Sequence, residues 1–336
     1  MSTAERRLLI PAQLSAAAAA GPEPGAQLLQ LRGEGMGTRW TAKLSTARPP
    51  PLERLRQGLQ GELDRVVTQM SPWLPDSDLS RYNRAAPGSW QLLPADFATV
   101  MAQALAVAAA SDGAYDPSAG ALVDCWGFGP AAPRSAPPSP DEISAALATV
   151  GWRRLRFEHG RLLQPGGARL DLSAIAKGHG VDLLARWLQG QGIEHFLVEV
   201  GGELRGQGCK PDGSPWWVAL EAPPGCALAE LWLALDAVAV ASSGDYRRYF
   251  ESGGRRYSHT LDPRSGQPPA SELAAVSVVH ADCMAADAQS TALAVLGWEA
   301  GQDYARRQGL AARLLRRGGR AGVEEWLSPA LAALLE

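Results

Sequence analysis

The spacing of apolar residues along the chain predicts a mixture of strands and helices. Apolar and polar residues alternate over residues 39–45, and a period of two predicts a strand with one buried face. Residues 52–70 and 96–110 have apolar residues at helical spacing. Further strands are predicted at 170–172, 196–200 and 274–280, and further helices at about 180–190 and 284–296. Because strands and helices mix without strict alternation, an α+β fold is favoured over a doubly wound one.

Two segments lack this periodicity. Residues 1–27, rich in Ala, Gly and Pro, are predicted to be a flexible leader, so that residues 28–336 form the domain. Residues 131–140 are a proline-rich loop that ends at Ser139 and Pro140, a pattern typical of a helix start.

The composition excludes several classes of protein. The chain has 336 residues, of which 46% are hydrophobic and 20% charged, as in ordinary globular proteins. Its net charge is −3 and it has no long basic run, which disfavours a nucleic-acid partner. No apolar run is long enough to be a transmembrane segment. The cysteines are far apart and form no CxxC pair, which disfavours a zinc site; they are Cys125, Cys209, Cys226 and Cys283.

The segment from residue 241 to 266 is the most unusual in composition. It combines glycines, aromatics, paired acidic and basic residues and His259. Gly253 and Gly254 predict the turn of a hairpin. His259 stands among polar residues, so the segment predicts a binding surface rather than a core element. The other histidines have no partner at a telling spacing and are expected to be structural or solvated.

Asp287 and Thr291 lie four residues apart on a predicted helix and therefore share one face. A carboxylate and a hydroxyl are hard oxygen ligands suited to Mg²⁺. The same pair near a helix start is also explained by capping of the backbone.

Asp171 follows an apolar stretch, and Lys177 precedes a glycine at a helix start. A helix N-terminus with a lysine favours a bound phosphate, although the P-loop pattern is absent. A turn with Lys177 directed to solvent is the alternative.

Tight turns adjoin aromatic residues at 113–120 and 124–129. Such turns suit a planar ring held by polar contacts, or else a loop around a packed Trp126.

Taken in order, these motifs resemble the ApbE family, the FAD:protein FMN transferases. The matching elements run from about residue 33 to 297. They are Gly35-Met-Gly-Thr38, Met70-Ser-Pro-Trp73, Ser77-Asp-Leu-Ser-Arg-Tyr-Asn83, Tyr115-Asp-Pro-Ser118, Trp126-Gly-Phe-Gly129, Asp171-Leu-Ser-Ala-Ile-Ala-Lys-Gly178, Val200-Gly-Gly-Glu-Leu204, Ser243-Gly-Asp-Tyr-Arg-Arg-Tyr-Phe250, Tyr257-Ser-His-Thr-Leu-Asp-Pro-Arg-Ser-Gly266 and Ala286-Asp-Ala-Gln-Ser-Thr-Ala-Leu293.

The resemblance implies an α+β, T-fold-like structure with mixed, mainly antiparallel sheets. It implies an enzyme that binds FAD and Mg²⁺, releases AMP and attaches FMN to a Thr or Ser hydroxyl of a target protein. The expected partner is a flavin-accepting subunit of a membrane electron-transfer complex. Two alternatives stay open: a pyrophosphatase that splits FAD into FMN and AMP, and a flavin-binding protein without catalysis.

The resemblance also implies roles for individual residues. The FAD contacts are Met36, Trp73, Ala114, Tyr115, Asp116, Asp171, Lys177 and Leu261. The metal ligands are the Ala174 carbonyl, Asp287 and Thr291. His259 acts in transfer, as a base of near-neutral pKa. Near it, Asp245, Arg247 and Arg248 brace the loop or the phosphate.

The chain departs from the family pattern at three positions. Ser173 stands where Gly is commoner, and Glu199 and Glu203 stand where Asn and Asp are more usual. The family implies a periplasmic location. The N-terminus is only weakly signal-like and has no cysteine for lipid attachment, which leaves a cytoplasmic location open.

Overall fold

The strands of the protein form four sheets. The computed structural model describes residues 6–245, 248–269, 273–318 and 322–336. The strands are β1 (Arg7–Leu9), β2 (Gln27–Gly35), β3 (Thr38–Thr46), β4 (Trp90–Leu92), β5 (Phe157–Glu158), β6 (Arg161–Leu163), β7 (Phe196–Val200), β8 (Glu203–Gln207), β9 (Trp217–Ala219), β10 (Leu231–Ala234), β11 (Val238–Gly244), β12 (Tyr249–Ser252), β13 (Arg255–Ser258), β14 (Leu273–His280), β15 (Ala311–Arg317) and β16 (Val323–Leu327). The helices are α1 (Ala16–Ala20), α2 (Leu52–Met70), α3 (Asp78–Asn83), α4 (Ala95–Ala110), α5 (Gly120–Cys125), α6 (Pro140–Leu147), α7 (Ala176–Gly190), α8 (Cys283–Leu296), α9 (Trp298–Gln308) and α10 (Pro329–Ala332), with a 3₁₀ helix at Trp152–Arg154.

The largest sheet has eight strands in the order β16-β15-β14-β11-β8-β7-β3-β2, and all its neighbouring pairs are antiparallel. The other strands form three smaller sheets, and the pairing of β1 with β10 is parallel. The prediction of an α+β fold with mainly antiparallel sheets is therefore confirmed.

Two apolar cores hold the long helices against the large sheet. Between α2, α7 and strands β3 and β7, one core buries Leu59, Leu184, Trp40 and Phe196. The other contains residues of α4, α8 and β14, the last of which is buried along almost its whole length. Helices α7 and α8 belong to both cores and pack on each other, and they carry three of the predicted polar site residues, Lys177, Asp287 and Thr291.

Most of the predicted elements are present, and two differ. The helix expected at about 180–190 begins earlier, at Ala176. The strand expected at 170–172 is wrong. The side chain of Asn83, at the end of α3, bonds both backbone groups of Leu170, and the Asp171 amide donates to the Pro117 carbonyl, so a side chain and a loop satisfy this backbone instead of a neighbouring strand.

The prediction of a flexible leader is wrong for the described residues from 6 to 27. Leu9 is completely buried, and β1 pairs with β10. Ser15 caps α1 and also bonds the buried Asp236 through its amide and its hydroxyl. Burial of an apolar strand and satisfaction of Asp236 fix this segment, so the folded unit begins before residue 28. Residues 1–5 lie outside the described part of the chain.

Two further properties concern membrane-spanning helices and the state of the cysteines. None of the described helices is both long and apolar enough to cross a bilayer. All four cysteines are free; Cys209 and Cys283 are buried, and Cys125 and Cys226 are half-buried.

Candidate active site

Two cavities meet beside the N-terminal end of α7. The polar cavity, of about 340 Å³, is lined by residues of α7, α8, the large sheet and several loops. The apolar cavity, of about 470 Å³, is lined chiefly by Met36, α2 and Trp73. Ser173, Lys177 and Arg248 line both. The cavities are therefore adjoining parts of one cleft.

The predicted site residues come together in this cleft. Those that line the polar cavity are Ala114, Tyr115, Asp116, Asp171, Ala174, Lys177, His259, Leu261, Asp287 and Thr291. The other two, Met36 and Trp73, line the apolar cavity. Positions that are up to 255 residues apart in sequence thus share one cleft; the roles assigned to them remain predictions.

A close approach of two helices positions the carboxylate of Asp287. At Gly178 of α7, an added Cβ would lie 2.4 Å from the Cys283 carbonyl oxygen of α8. The Gly178 amide also donates to Asp287 Oδ2 at 3.0 Å. Thr291 follows one turn further along α8, and its hydroxyl lies 3.3 Å from the Ser243 hydroxyl. The predicted pair shares one face, and neither side chain caps α8.

The cavity wall at Asp287 holds two carboxylates, those of Asp287 and Glu203, and one ammonium group, that of Lys177. Lys177 forms an ion pair with Glu203, which is buried. Burial opposes the charge of Lys177, but Asp287 and Glu203 together raise its pKa to about 12. Burial raises the pKa of Glu203 to about 7 despite Lys177, and burial also raises the pKa of Asp287. One ammonium facing two buried carboxylates leaves an environment that favours an added cation.

The donor set fits a hard divalent cation. The Ala174 carbonyl, Asp287 and Thr291 supply oxygen ligands of the kind that Mg²⁺ takes. Within the described ranges, Glu203 Oε2 is buried without a hydrogen-bond partner. The same ranges contain no group of three or more His, Cys, Asp or Glu side chains that could hold a metal. The predicted set includes only one such side chain, so its metal remains a prediction.

The carboxylates of Asp116 and Asp171 are engaged by the protein itself. Asp116 accepts from the amide and the hydroxyl of Ser118, and its second oxygen accepts from the Trp152 amide. Asp171 accepts from the Ser173 amide at 2.8 Å. These bonds hold two loops of the polar cavity in place, which gives both residues a bracing role whatever they contact in a substrate.

His259 presents one unprotonated ring nitrogen. Its backbone amide and its Nδ1 lie 3.1 and 3.0 Å from the Arg248 carbonyl oxygen. A carbonyl only accepts, so Nδ1 carries the proton in the neutral ring and Nε2 does not. Burial lowers the pKa of His259 to about 4. The expectation of a near-neutral pKa is corrected, although the ring is still neutral and able to accept a proton at pH 7.

The hairpin that precedes His259 is also less polar than predicted. Phe250 and Tyr257 stack on each other with ring centroids 5.1 Å apart and pack around Trp126. The Phe128 ring meets His259 edge-on at 6.3 Å. The hairpin therefore docks through an aromatic cluster, in which Phe250 of β12 and Tyr257 of β13 face the loop that holds Trp126 and Phe128.

Trp73 stands at the rim of the apolar cavity and is 51% exposed. Met36, with a positive φ of 54°, forms the turn between β2 and β3 on the opposite wall. An exposed indole face beside a thioether is a suitable platform for a flat ring system.

The sequence matches the ApbE family over residues 36–314. This chain belongs to that family. It is 39% identical over 294 residues to the FAD:protein FMN transferase of Vibrio cholerae, covering 85% of this chain and 86% of that protein. The enzyme of the same name from Escherichia coli K12 is 34% identical over 312 residues, covering 91% and 88%.

Solved ApbE structures have the same fold. The Pseudomonas stutzeri flavinyl transferase ApbE, in its apo form, matches with a TM-score of 0.86 at 40% identity, covering 92% of this chain and 97% of that one. The flavin transferase ApbE from Vibrio cholerae matches with a TM-score of 0.85 at 33% identity, covering 92% and 99%. The matches in sequence and in structure confirm the predicted ApbE family and its fold.

Some residues of this ApbE-family cleft received no role from sequence reasoning. Glu203 is predicted only as a departure from the family pattern, and Phe128 only as part of a motif.

Asp245 pairs with Arg317, and Arg248 donates to the Phe128 carbonyl at 2.7 Å, so both brace the loop as expected. Arg247 lies outside the described residues. Buried His179 faces Asp96, and buried His195 accepts from the Cys209 amide, as expected for structural histidines.

Proposed function

We propose that this chain transfers FMN from FAD to a Thr or Ser hydroxyl of a target protein and releases AMP. The observation that carries the proposal is that His259, with an unprotonated Nε2, lines the same cavity as Ala174, Asp287 and Thr291. The names of the ApbE-family relatives support the same activity.

The adjoining cavities suit the two halves of a dinucleotide. Trp73 and Met36 offer an apolar platform for the isoalloxazine ring. Lys177 and Arg248 line both cavities, and their charges would be attracted to a pyrophosphate lying across the boundary. The AMP half then lies in the polar cavity.

The chemistry proposed for these residues is a displacement at phosphorus. The acceptor hydroxyl gives its proton to His259 Nε2, and its oxygen forms a bond to the phosphorus of the FMN half. The bond from that phosphorus to the bridging oxygen breaks, and AMP leaves with the electron pair. Lys177 and Arg248 orient the phosphates.

We propose that Ala174, Asp287 and Thr291 hold Mg²⁺. When bound, the ion would neutralise charge that develops on the phosphate oxygens. The buried excess of carboxylate over ammonium at Lys177, Glu203 and Asp287 supports a cation at this place. We propose a flavin-bearing subunit of a membrane electron-transfer complex as the acceptor.

Incubation with FAD and Mg²⁺ tests the proposal, with and without such a subunit in its flavin-free form. AMP release together with a covalent fluorescent band on the acceptor is the expected result. An acceptor whose target Thr is replaced by Val should stay unlabelled. AMP without any covalent flavin would favour the pyrophosphatase, and bound FAD without AMP would favour a binding protein. Asp287→Asn or excess EDTA should abolish turnover, and turnover in a metal-free sample would contradict the Mg²⁺ site.

A further inference from the structure

A third cavity, which we call the aromatic groove, adjoins the cleft and has a volume of about 510 Å³. The Phe128 and Phe250 rings stack in its wall with centroids 5.7 Å apart. Trp73 and Tyr249, in the same wall, are 51% and 40% exposed. The groove residues are Trp73, residues 127–131, Pro133, Arg134 and residues 248–250. Aromatic side chains exposed together at the surface are typical of a site that binds a partner.

The aromatic groove meets both parts of the cleft. It shares Trp73 and Arg248 with the apolar cavity, and Phe128 and Arg248 with the polar cavity. The Phe128 ring meets His259 edge-on at 6.3 Å, and the Arg248 carbonyl holds the Nδ1 of His259. The groove therefore reaches the cleft beside His259.

In the proposed function, the acceptor hydroxyl needs a route to the phosphorus of the FMN half. The attacking and leaving oxygens lie roughly in line across that phosphorus, so the hydroxyl must arrive from the side away from the AMP half. The AMP half lies in the polar cavity. The groove meets the apolar cavity, where the flavin lies, at Trp73 and Arg248. It therefore offers a route that FAD leaves open.

Another cavity, of about 330 Å³, offers a less direct route. It borders the polar cavity at Ser243, Gly244 and Thr260. Among the described residues, none lines both this cavity and the apolar cavity. A segment bound there would approach from the side of the AMP half, so the aromatic groove is favoured.

The lining of the groove determines which side chains it suits. Within the described ranges no carboxylate lines it, and its two cations are already engaged. Arg134 pairs with Glu142, which lies outside the groove, and Arg248 donates to the Phe128 carbonyl at 2.7 Å. Aromatic-lined grooves bind extended segments through apolar side chains. A charged flank would lose hydration there without gaining an opposite charge.

We propose that the aromatic groove binds the acceptor segment, an extended and uncharged stretch of the target protein with apolar side chains beside its Thr or Ser. This inference rests on the proposed function, which supplies the acceptor. Tyr249 contributes an exposed ring that no FAD contact uses. Arg256 lies over that ring at 4.1 Å and pairs with Glu251, so the charge near the ring is balanced.

Three short synthetic peptides with a central Thr test the preference, in the presence of FAD and Mg²⁺. One has Val and Ala on both sides of the Thr, and the matched peptides have Asp or Lys at the same positions. The peptide with Val and Ala should be flavinylated with the lowest KM. An equal or lower KM for the Asp or the Lys peptide would overturn the inference.

Tyr249→Ala tests the groove itself. It should raise the KM of the peptide with Val and Ala about 5- to 30-fold, as expected for an aromatic contact at an interface, and leave kcat and the FAD dissociation constant unchanged. Tyr249→Phe keeps the ring and should behave like the wild type. Arg255→Ala is the control, because exposed Arg255 lies on the same hairpin but lines the 330 Å³ cavity. It should change none of these constants.

A wild-type KM in Tyr249→Ala would overturn the inference, as would a rise in KM confined to Arg255→Ala. A fall in kcat and in FAD affinity in Tyr249→Ala would show that the ring only supports the hairpin, which also overturns it. So would labelling of a flavin-free subunit but of none of the peptides. AMP release without covalent flavin on the subunit or on any peptide would instead overturn the proposed transfer.

Discussion

The carboxylate of Asp182, in the middle of α7, accepts a hydrogen bond at 3.0 Å from the backbone amide of Cys283, the first residue of α8. The second carboxylate oxygen accepts from the next amide, that of Met284, also at 3.0 Å. Arg205 pairs with the same carboxylate at 2.6 Å. The residue that precedes α8, Asp282, makes no side-chain capping bond among the described contacts. A neighbouring helix therefore caps α8 and sets its position, and with it the position of Asp287.

We predict that Asp182→Asn loosens this helix end. Loss of the anionic acceptor should lower the free energy of unfolding by about 1–3 kcal/mol, because hydrogen bonds to charged groups are stronger than neutral ones. It should also raise the Mg²⁺ concentration needed for half-maximal turnover, since Asp287 is held less firmly. Urea unfolding and a Mg²⁺ titration measure the two effects.

Asp282→Asn is the control for this prediction. Its side chain is 59% exposed and does not cap the helix, so unfolding should change by no more than about 0.5 kcal/mol. If both variants have the same Mg²⁺ requirement as the wild type, Asp182 does not position the site.

A second prediction concerns the contact between α7 and α8 at Gly178. Gly178→Ala should reduce stability by about 1–3 kcal/mol and impair turnover, because the new methyl group would press on the Cys283 backbone and separate Lys177 from Asp287. Gly190→Ala, at the end of the same helix, is the control. In the described part of the chain an added Cβ there meets nothing within 4 Å, so stability should stay equal or rise. Thermal unfolding and AMP release compare the two, and equal behaviour would contradict the packing argument.

The sequence predicted the cleft better than it predicted how the cleft is supported. Periodicity located α2 and α4 because each buries one face of a long helix, and a run of small and apolar residues located α8, which is buried on almost all sides. The order of short motifs identified residues such as His259 and Asp287, whose side chains were then found to line one cavity. These signals are local, and a single sequence contains them in full.

The supporting contacts had no such signal. Arg7–Leu9 is a three-residue strand whose partner, β10, lies more than 200 residues away, so no local pattern distinguishes it from a leader. Asp182 looks like an ordinary polar residue of a helix, and its role depends on the close packing of α8. Residues 170–172 have the alternation of a strand, but the backbone of Leu170 bonds the Asn83 side chain and the Asp171 amide bonds the Pro117 carbonyl. In each case a distant part of the chain decides the outcome.

The exposed face of Trp73 predicts a stacking contact. Trp73→Ala should weaken FAD binding, by about 1 kcal/mol beyond the loss of buried area, and should raise the fluorescence of bound flavin. Trp90→Ala is the control, because Trp90 is also exposed, at 39%, and lies in β4 away from both cavities. Fluorescence titration with FAD measures both constants. The assignment fails if the two variants bind FAD equally well.

The next prediction concerns His259 as the base. His259→Asn should still bind FAD, since the asparagine amide can donate to the Arg248 carbonyl, but transfer to the acceptor should fall about 100- to 10,000-fold. Covalent flavin on the acceptor and calorimetric binding of FAD measure the two properties separately. If His259 only orders the hairpin, FAD affinity should fall along with the rate. His280→Asn, a change outside the cleft, should affect neither.

The pH dependence of the same residue has a defined sign. Burial lowers the pKa of His259 from its usual 6.5 to about 4 in the folded chain. Between these values the unfolded chain binds more protons at this residue, so its contribution to stability is complete above pH 6.5 and is lost as pH falls towards 4. The His259 contribution to kcat/KM should therefore stay constant from pH 8 down to about 5 and decline near pH 4. His259→Asn should make unfolding less sensitive to pH between about 6.5 and 4. An acid limb of kcat/KM centred at 6.5 that disappears in His259→Asn would contradict the lowered pKa that burial gives this ring.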